Sequence, residues 1–171
     1  MKEMLFPEIS SLAIDCLSHG RALLTVGGEK PNTMTIGWGS IGYFWNKPVL
    51  MVVVRPQRHT YPALLESKQF TVSMGVSDAH KDIFAFAGRT SGADVDKFDG
   101  HGLTAVPART VDAPIVGECE LHFECRTLLE QDMTPDAMDK SVIERAYAAG
   151  DFHRLFFGEI VACCRTDKSA L

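Results

Sequence analysis

The chain has no hydrophobic run long enough to cross a bilayer. The longest, Pro48 to Val54, falls far short of the roughly 20 apolar residues that a spanning helix needs. Positive charge is also scarce. Seventeen Lys and Arg stand against 22 Asp and Glu, a formal charge of -5, which argues against a general nucleic-acid binder. The five cysteines, Cys16, Cys119, Cys125, Cys163 and Cys164, are odd in number and form no C-x-x-C pair. Neither a zinc site nor a thioredoxin-like site is indicated, and no metal is expected. They read as small buried hydrophobes in a reducing compartment. Cys119 and Cys125 are an even number apart and are expected on one strand face; Cys163 and Cys164 are expected on opposite faces. The opening MKEMLFPEISS has no small-residue cleavage pattern, so no signal peptide and a cytoplasmic location are expected. No internal repeat or low-complexity linker divides the chain.

What is present fits one domain over residues 1–171. Apolar content of 46% and charged content of 23% exclude the disordered and fibrous classes. Helix signals cover Ile9 to His19, with Gly20 as the stop, and Tyr61 to Lys68, with Thr60 as N-cap. A third helix is expected over Asp78 to Ala87 behind Ser77, and a fourth from Thr134-Pro135 to Ala149. Strand signals cover Ala22 to Val26, Thr33 to Ile36, Phe70 to Val76, Glu118 to Leu129 and Leu155 to Cys164. Val49 to Val54 is the strongest, with four valines in six residues and burial expected on both faces. Arg89 to Gly102 reads as irregular, with a helical turn near Val95 to Phe98. A mainly β chain with short helices and no βαβ period points to a barrel.

Gly37, Gly39 and Gly42 spell G-x-G-x-x-G, the dinucleotide fingerprint. That motif must open a helix after a strand. Here Tyr43, Phe44 and Trp45 come next, then the turn Asn46-Lys47-Pro48. The glycines instead mark bends or close backbone approach. The run Asp94, Asp96 and Asp99 lacks the full calcium-loop spacing and reads as a solvated acidic loop.

The stretch Asn32-Thr33-Met34-Thr35-Ile36-Gly37-Trp38-Gly39 carries a resemblance. So do Trp45-Asn46-Lys47-Pro48, Arg55-Pro56-Gln57-Arg58-His59-Thr60, Thr90 to Phe98 and Phe157-Gly158-Glu159-Ile160. Together they resemble the flavin reductase-like family, in particular flavoredoxin-type proteins, over roughly residues 10 to 165. The resemblance implies an FMN-binding split β-barrel, a homodimer with flavin near its interface, and NAD(P)H-dependent flavin reduction. Some members instead keep FMN as a bound redox group that serves a downstream partner.

Carried onto this chain, Asn32, Thr33, Met34 and Thr35 line the isoalloxazine and ribityl parts, with Trp38 beside the pocket. Arg55, Arg58, His59 and Thr60 approach the phosphate, and Ser91, Gly92 and Lys97 belong to a loop over the cofactor. Arginine offers a forked contact to phosphate and threonine a hydroxyl. Each residue also has a plainer reading, as surface arginine, N-cap threonine or ordinary strand threonine. His153, a candidate near the hydride-transfer face, also reads as a loop histidine. Where the family often has Ser-Gly-Arg, this chain has Ser91-Gly92-Ala93, with Arg89 just upstream as a candidate substitute. Three alternatives stay open: a non-enzymatic FMN electron carrier, a related fold that has changed to haem or another planar cofactor, and an unrelated interaction domain.

Overall fold

The computed structural model describes residues 2–3 and 6–166. Its strands are β1 (Lys2–Glu3), β2 (Ala22–Val26), β3 (Asn32–Ile36), β4 (Gly39–Phe44), β5 (Lys47–Val54), β6 (Gln69–Met74), β7 (Ala105–Val106), β8 (Ile115–Val116), β9 (Leu121–Asp132) and β10 (Arg154–Arg165). The helices are α1 (Phe6–Ser18), α2 (Thr60–Ser67), α3 (Lys81–Arg89) and α4 (Lys140–Ala146). An antiparallel eight-stranded sheet runs in the order β3-β2-β6-β9-β10-β5-β4, with β1 paired to the far end of β10. No described helix is long and apolar enough to cross a membrane.

The sheet is not closed, which corrects the barrel expected from pattern and resemblance. Its two edges, β3 and β4, are consecutive in sequence and joined only by Gly37 and Trp38. Three Cα–Cα steps hold Ile36 within about 11 Å of Gly39, so the sheet must curl. Yet β3 pairs only with β2, and β4 only with β5. A cavity reaching from Met34, Thr35 and Ile36 across to Val53 and Arg55 fills the space where a closing ladder would run.

The core follows the side-chain periods. Ile9, Ala13, Cys16 and Leu17 repeat on one face of α1 and pack with Leu24, Val26, Val52, Phe70, Val72 and Phe123 of the sheet. Gly20, at φ +65, ends α1, and the N–H of Arg21 closes on Cys16 O at 2.8 Å. On the other face of β2, Leu23 joins Phe84 and Ala87 of α3, Leu103, Val116 and Cys119 in a second cluster. Strand β2 is therefore buried throughout. In β5 the stretch from Val49 to Val54 is nearly so, with Met51 only partly covered.

Several local expectations shift. The expected helix at 134–149 divides into a 3-10 turn, Pro135–Ala137, and α4, because Asp139 caps a new start by accepting from Ser141 N at 2.8 Å. Helix α3 begins at Lys81, since the Ser77 hydroxyl donates to buried Glu120 instead of serving as its N-cap. Around Val95 to Phe98 there are turns but no helix; the N–H groups of Asp94 and Val95 both bond Ser91 O at 3.2 Å. All five cysteines are buried, and none is in a disulfide. Cys119 and Cys125 do not share a face, because Cys119 precedes β9 and joins the second cluster while Cys125 lies in the main core.

Candidate functional site

The glycines of the false fingerprint fall on the sheet corner and on β4, and the next element is strand β5, not a helix. A Cβ at Gly39 would stand 2.8 Å from Met51 O, so this glycine permits close strand approach. The corner that they form opens onto the site.

Edge strand β3 forms one wall. In an antiparallel strand the N–H and C=O of one residue point the same way, and the direction alternates along the chain. Thr33 O accepts from Lys97 Nζ at 2.6 Å, so it points away from β2. By the same alternation Thr35 presents its backbone groups at this free edge. The threonine hydroxyls face elsewhere. Thr33 Oγ1 accepts from Thr25 Oγ1 at 2.9 Å and donates to Leu24 O at 3.2 Å. Thr35 Oγ1 donates to Phe84 O. Around Thr35, what β3 offers a ligand is main chain, together with the Met34 side chain.

Two adjoining cavities run along β3. The first, of about 240 Å³, lies between Met34, Thr35 and Trp38 on one side and Val53, Arg58 and His153 on the other. The second, a waist of about 80 Å³, is lined by Asn32, Arg58, His59, Thr60, Gly92 and Lys97, with Met34 and Thr35 shared. Ten of the twelve residues expected around a cofactor therefore line this pair: Asn32, Met34, Thr35, Trp38, Arg55, Arg58, His59, Thr60, Gly92 and Lys97. Thr33 lies behind the wall, and Ser91 shapes the neighbouring turn through its carbonyl and its hydroxyl, which accepts from Ala93 N at 3.2 Å. Arg89 is exposed and lines neither cavity.

Lys97 is the distinctive charge. It is 3% exposed, and its ammonium donates to Thr33 O at 2.6 Å and Ala87 O at 2.9 Å. An ammonium has three donors, so one remains. Neither Lys97 nor Arg58 is ion-paired with a carboxylate among the described residues. Burial, reinforced by the Arg58 charge, lowers the Lys97 pKa to about 8. Two cations at one small waist without an anion repel each other, and theirs is the donor set that a phosphate dianion satisfies.

Thr60 is not the N-cap of α2. It is the first helical residue, and its Oγ1 accepts from Asn32 Nδ2 at 2.7 Å, tying the helix to β3. Gly92 packs on this pair. A Cβ there would overlap Asn32 Oδ1 and stand 2.9 Å from His59 Cδ2.

The far end of the first cavity is aromatic. Trp38, 51% exposed, lies 5.3 Å from His153 between ring centroids, and Tyr147 OH shares a 2.8 Å hydrogen bond with His153 Nδ1. Burial, then the Arg55 charge, lowers the His153 pKa to about 4, so the ring is neutral at pH 7. Arg55 holds this corner together. It donates to Asp151 O at 2.6 Å and Ala146 O at 3.0 Å and lies 5.2 Å from the Tyr147 ring centroid. Its visible contacts are to the 146–151 loop.

The lining residues outside the expected site set are Ile36, Gly37, Val53, Ala87, Gly88 and Thr90, and Tyr147 joins them through His153. Gly88 lay one residue past the expected end of its helix, and the structure places it inside α3. A Cβ there would stand 3.2 Å from Thr35 Cβ, so its absence lets α3 settle against β3. Tyr147 carried no signal.

A family model described as "Flavin reductase like domain" matches residues 14–171. An Archaeoglobus fulgidus protein described as uncharacterized is 31% identical over 139 residues, which is 81% of this chain and 68% of that protein. Flavoredoxin of Desulfovibrio vulgaris (Miyazaki F) superposes with a TM-score of 0.67 at 29% identity, covering 88% of this chain and 71% of that one. An FMN-binding protein from Thermus thermophilus with bound 1-cyclohex-2-enone gives a TM-score of 0.67 at 25% identity, covering 85% and 69%.

Proposed function

The chain belongs to the flavin reductase-like domain family, and from that membership we propose that it is a single-domain FMN-binding oxidoreductase drawing electrons from NAD(P)H. The observation that carries the cofactor assignment is the waist. Lys97 has an ammonium donor left over, Arg58 is exposed beside it, and neither has a carboxylate partner among the described residues. These two would hold the phosphate.

The main chain of Thr35 and the Met34 side chain would meet the flavin edge, and Trp38 and Val53 would give its ring an apolar border. When bound, FMN supplies two-electron redox chemistry, accepting hydride from the nicotinamide. The chain's own work is to orient and to tune. His153, neutral and braced by Tyr147, offers a hydrogen bond beside the ring cavity without adding charge. Arg55 would act by fixing the loop that carries Tyr147 and His153.

A homodimer is part of this reading. Tyr43, Phe44 and Trp45 are 64%, 50% and 56% exposed at the tip of the β4–β5 hairpin, and the rings of Phe44 and Trp45 pack against Phe157. Trp45 is held at φ +52, a conformation uncommon for a bulky residue. An exposed aromatic cluster on a constrained turn suits a surface that a second copy covers.

The test is direct. Protein purified without added flavin is examined by absorption, then mixed anaerobically with NADH and with NADPH. A flavin spectrum that bleaches with either donor is the expected result. A bound flavin that neither donor reduces would favour a carrier reduced by another protein, as the likeness to flavoredoxin would fit. A colourless protein that also fails to bind added FMN would sink the reading.

A further inference from the structure

Lys97 is tethered in a way that survives the loss of its proton. Its Nζ donates to Thr33 O of β3 at 2.6 Å and to Ala87 O of α3 at 2.9 Å. A neutral amine keeps two N–H donors and gains a lone pair in place of the third. Both carbonyl bonds therefore persist in the neutral form, and the lone pair takes the remaining tetrahedral position. Lys97 lines the waist, so that position is left for a molecule in the cavity.

The groups around it favour the neutral form. From the segment before α2 come Arg58 and His59, and no carboxylate lines the waist. Asp94 and Asp96, on the Lys97 turn itself, line an adjoining outer cavity together with Lys30. Burial and the Arg58 charge thus act on an ammonium without an ion-pair partner among the described residues. A lysine desolvated beside another cation is the setting in which this side chain becomes a nucleophile.

We infer that Lys97 is an acylation site, whose amine takes a short acyl group from an acyl phosphate seated by its phosphate on Arg58. Arg58 lines both the waist and the larger first cavity. The first cavity is bordered by Arg55 and Arg58 and by no carboxylate, so a small anion reaches the waist along a positive path. The waist, at about 80 Å³, limits the acyl group to a short one. Nζ attacks the carbonyl carbon; a C–N bond forms and the C–O bond to phosphate breaks. Phosphate leaves with that electron pair, meets the Arg58 guanidinium, and takes the proton that the nitrogen sheds. The products are an amide and inorganic phosphate. On the flavin reading above, acylation and FMN compete for the same position. The amide has no positive charge and a single N–H, so the modified chain loses its hold on the FMN phosphate.

Acetyl phosphate on the full chain, freed of flavin, tests this, with acetylation followed at each lysine by peptide mass spectrometry. Lys81 and Lys140, both exposed, are the comparators within the same sample. At pH 8 about half of Lys97 is neutral, against less than one in a hundred for an ordinary lysine. Lys97 is therefore expected to react at least about tenfold faster than either comparator, although it is 3% exposed. Its rate is expected to level off above about pH 8, while theirs climbs toward 10.5. Saturating inorganic phosphate or FMN is expected to slow Lys97 at least about fivefold and leave Lys140 unchanged. A Lys97 rate no greater than that of Lys140, or one that inorganic phosphate does not slow, would overturn the inference. Protection by inorganic phosphate but not by FMN would support the acylation site and count against the flavin reading.

Discussion

Lys97 and His153 are two side chains whose surroundings set their charge in opposite ways for a ligand. Lys97 is a buried cation with a donor to spare; Lys97→Met is expected to weaken FMN by about 10- to 100-fold, as the loss of one charged hydrogen bond implies, while riboflavin affinity barely moves. Fluorescence titration with the two flavins separates these outcomes. The pH dependence has a definite sign. The free protein releases the Lys97 proton near pH 8, well below the ordinary lysine value, and a bound phosphate would raise that pKa again. The Lys97 contribution to FMN affinity is therefore flat below about pH 8 and falls above it, with proton uptake on binding measurable by calorimetry in two buffers. In the unliganded protein the same shift acts on folding. The unfolded chain holds this proton to higher pH, so stability gains from Lys97 as pH rises from about 8 toward 10.5. His153 behaves as a depressed base. Between pH 6.5 and about 4 the unfolded chain takes up a proton that the folded chain refuses, so its contribution erodes as pH falls through that window. Ring-proton NMR is expected to show His153 neutral down to about pH 5; a midpoint near 6.5 would contradict this. The resemblance assigned Lys97 to a loop over an expected cofactor, but nothing in a lysine's identity says it is buried, since most lysines are exposed.

Among the elements, β10 shows how a glycine serves packing. The register of β10 on β9 shifts between Phe157, opposite Leu129, and Gly158, opposite Thr127. A Cβ at Gly158 would stand 2.5 Å from Phe70 Cζ and 2.9 Å from Cys125 Cβ. Gly158→Ala is expected to cost about 1–3 kcal/mol by overpacking, read from urea unfolding, with an unchanged midpoint refuting it. The strands themselves were legible. Their period-two patterning and β-branched content placed β2, β5, β6, β9 and β10 within a few residues. Helix starts were less so. Ser77 and Thr60 both look like caps, but a hydroxyl bonds whichever partner the fold brings near, Glu120 for Ser77 and Asn32 for Thr60. The break before α4 is the reverse case, since Asp139 with Ser141 two residues on is a local signal that a continuous helical pattern concealed.

For the whole molecule, the hairpin tip supplies the prediction. If a second copy covers Phe44, Trp45 and Phe157, light scattering of the purified protein shows a dimer and Trp45→Glu shifts it to monomer with its secondary structure kept. A wild-type monomer at micromolar concentration would reject this surface as the interface. The open sheet belongs to this scale too. The two edge strands are neighbours in sequence, and whether such neighbours pair or part is decided by what lies between them, here a cavity walled by Trp38, Val53 and Arg55.

The mainly β character, the strand positions and the rejection of the glycine fingerprint were all readable in the amino-acid order. They depend on local periodicity and on the residue types next in line after each glycine. The resemblance also grouped residues of segment 32–60 with Lys97, and the fold brings them to adjoining cavities. Other features came from the packed molecule alone. The sheet stays open, the β3 threonines turn their hydroxyls away and offer main chain, and Arg55 braces a loop. These depend on partners distant in the chain, such as Phe84 for Thr35 and Asp151 for Arg55. Such contacts arise from the packing of elements against one another, and no local pattern encodes them.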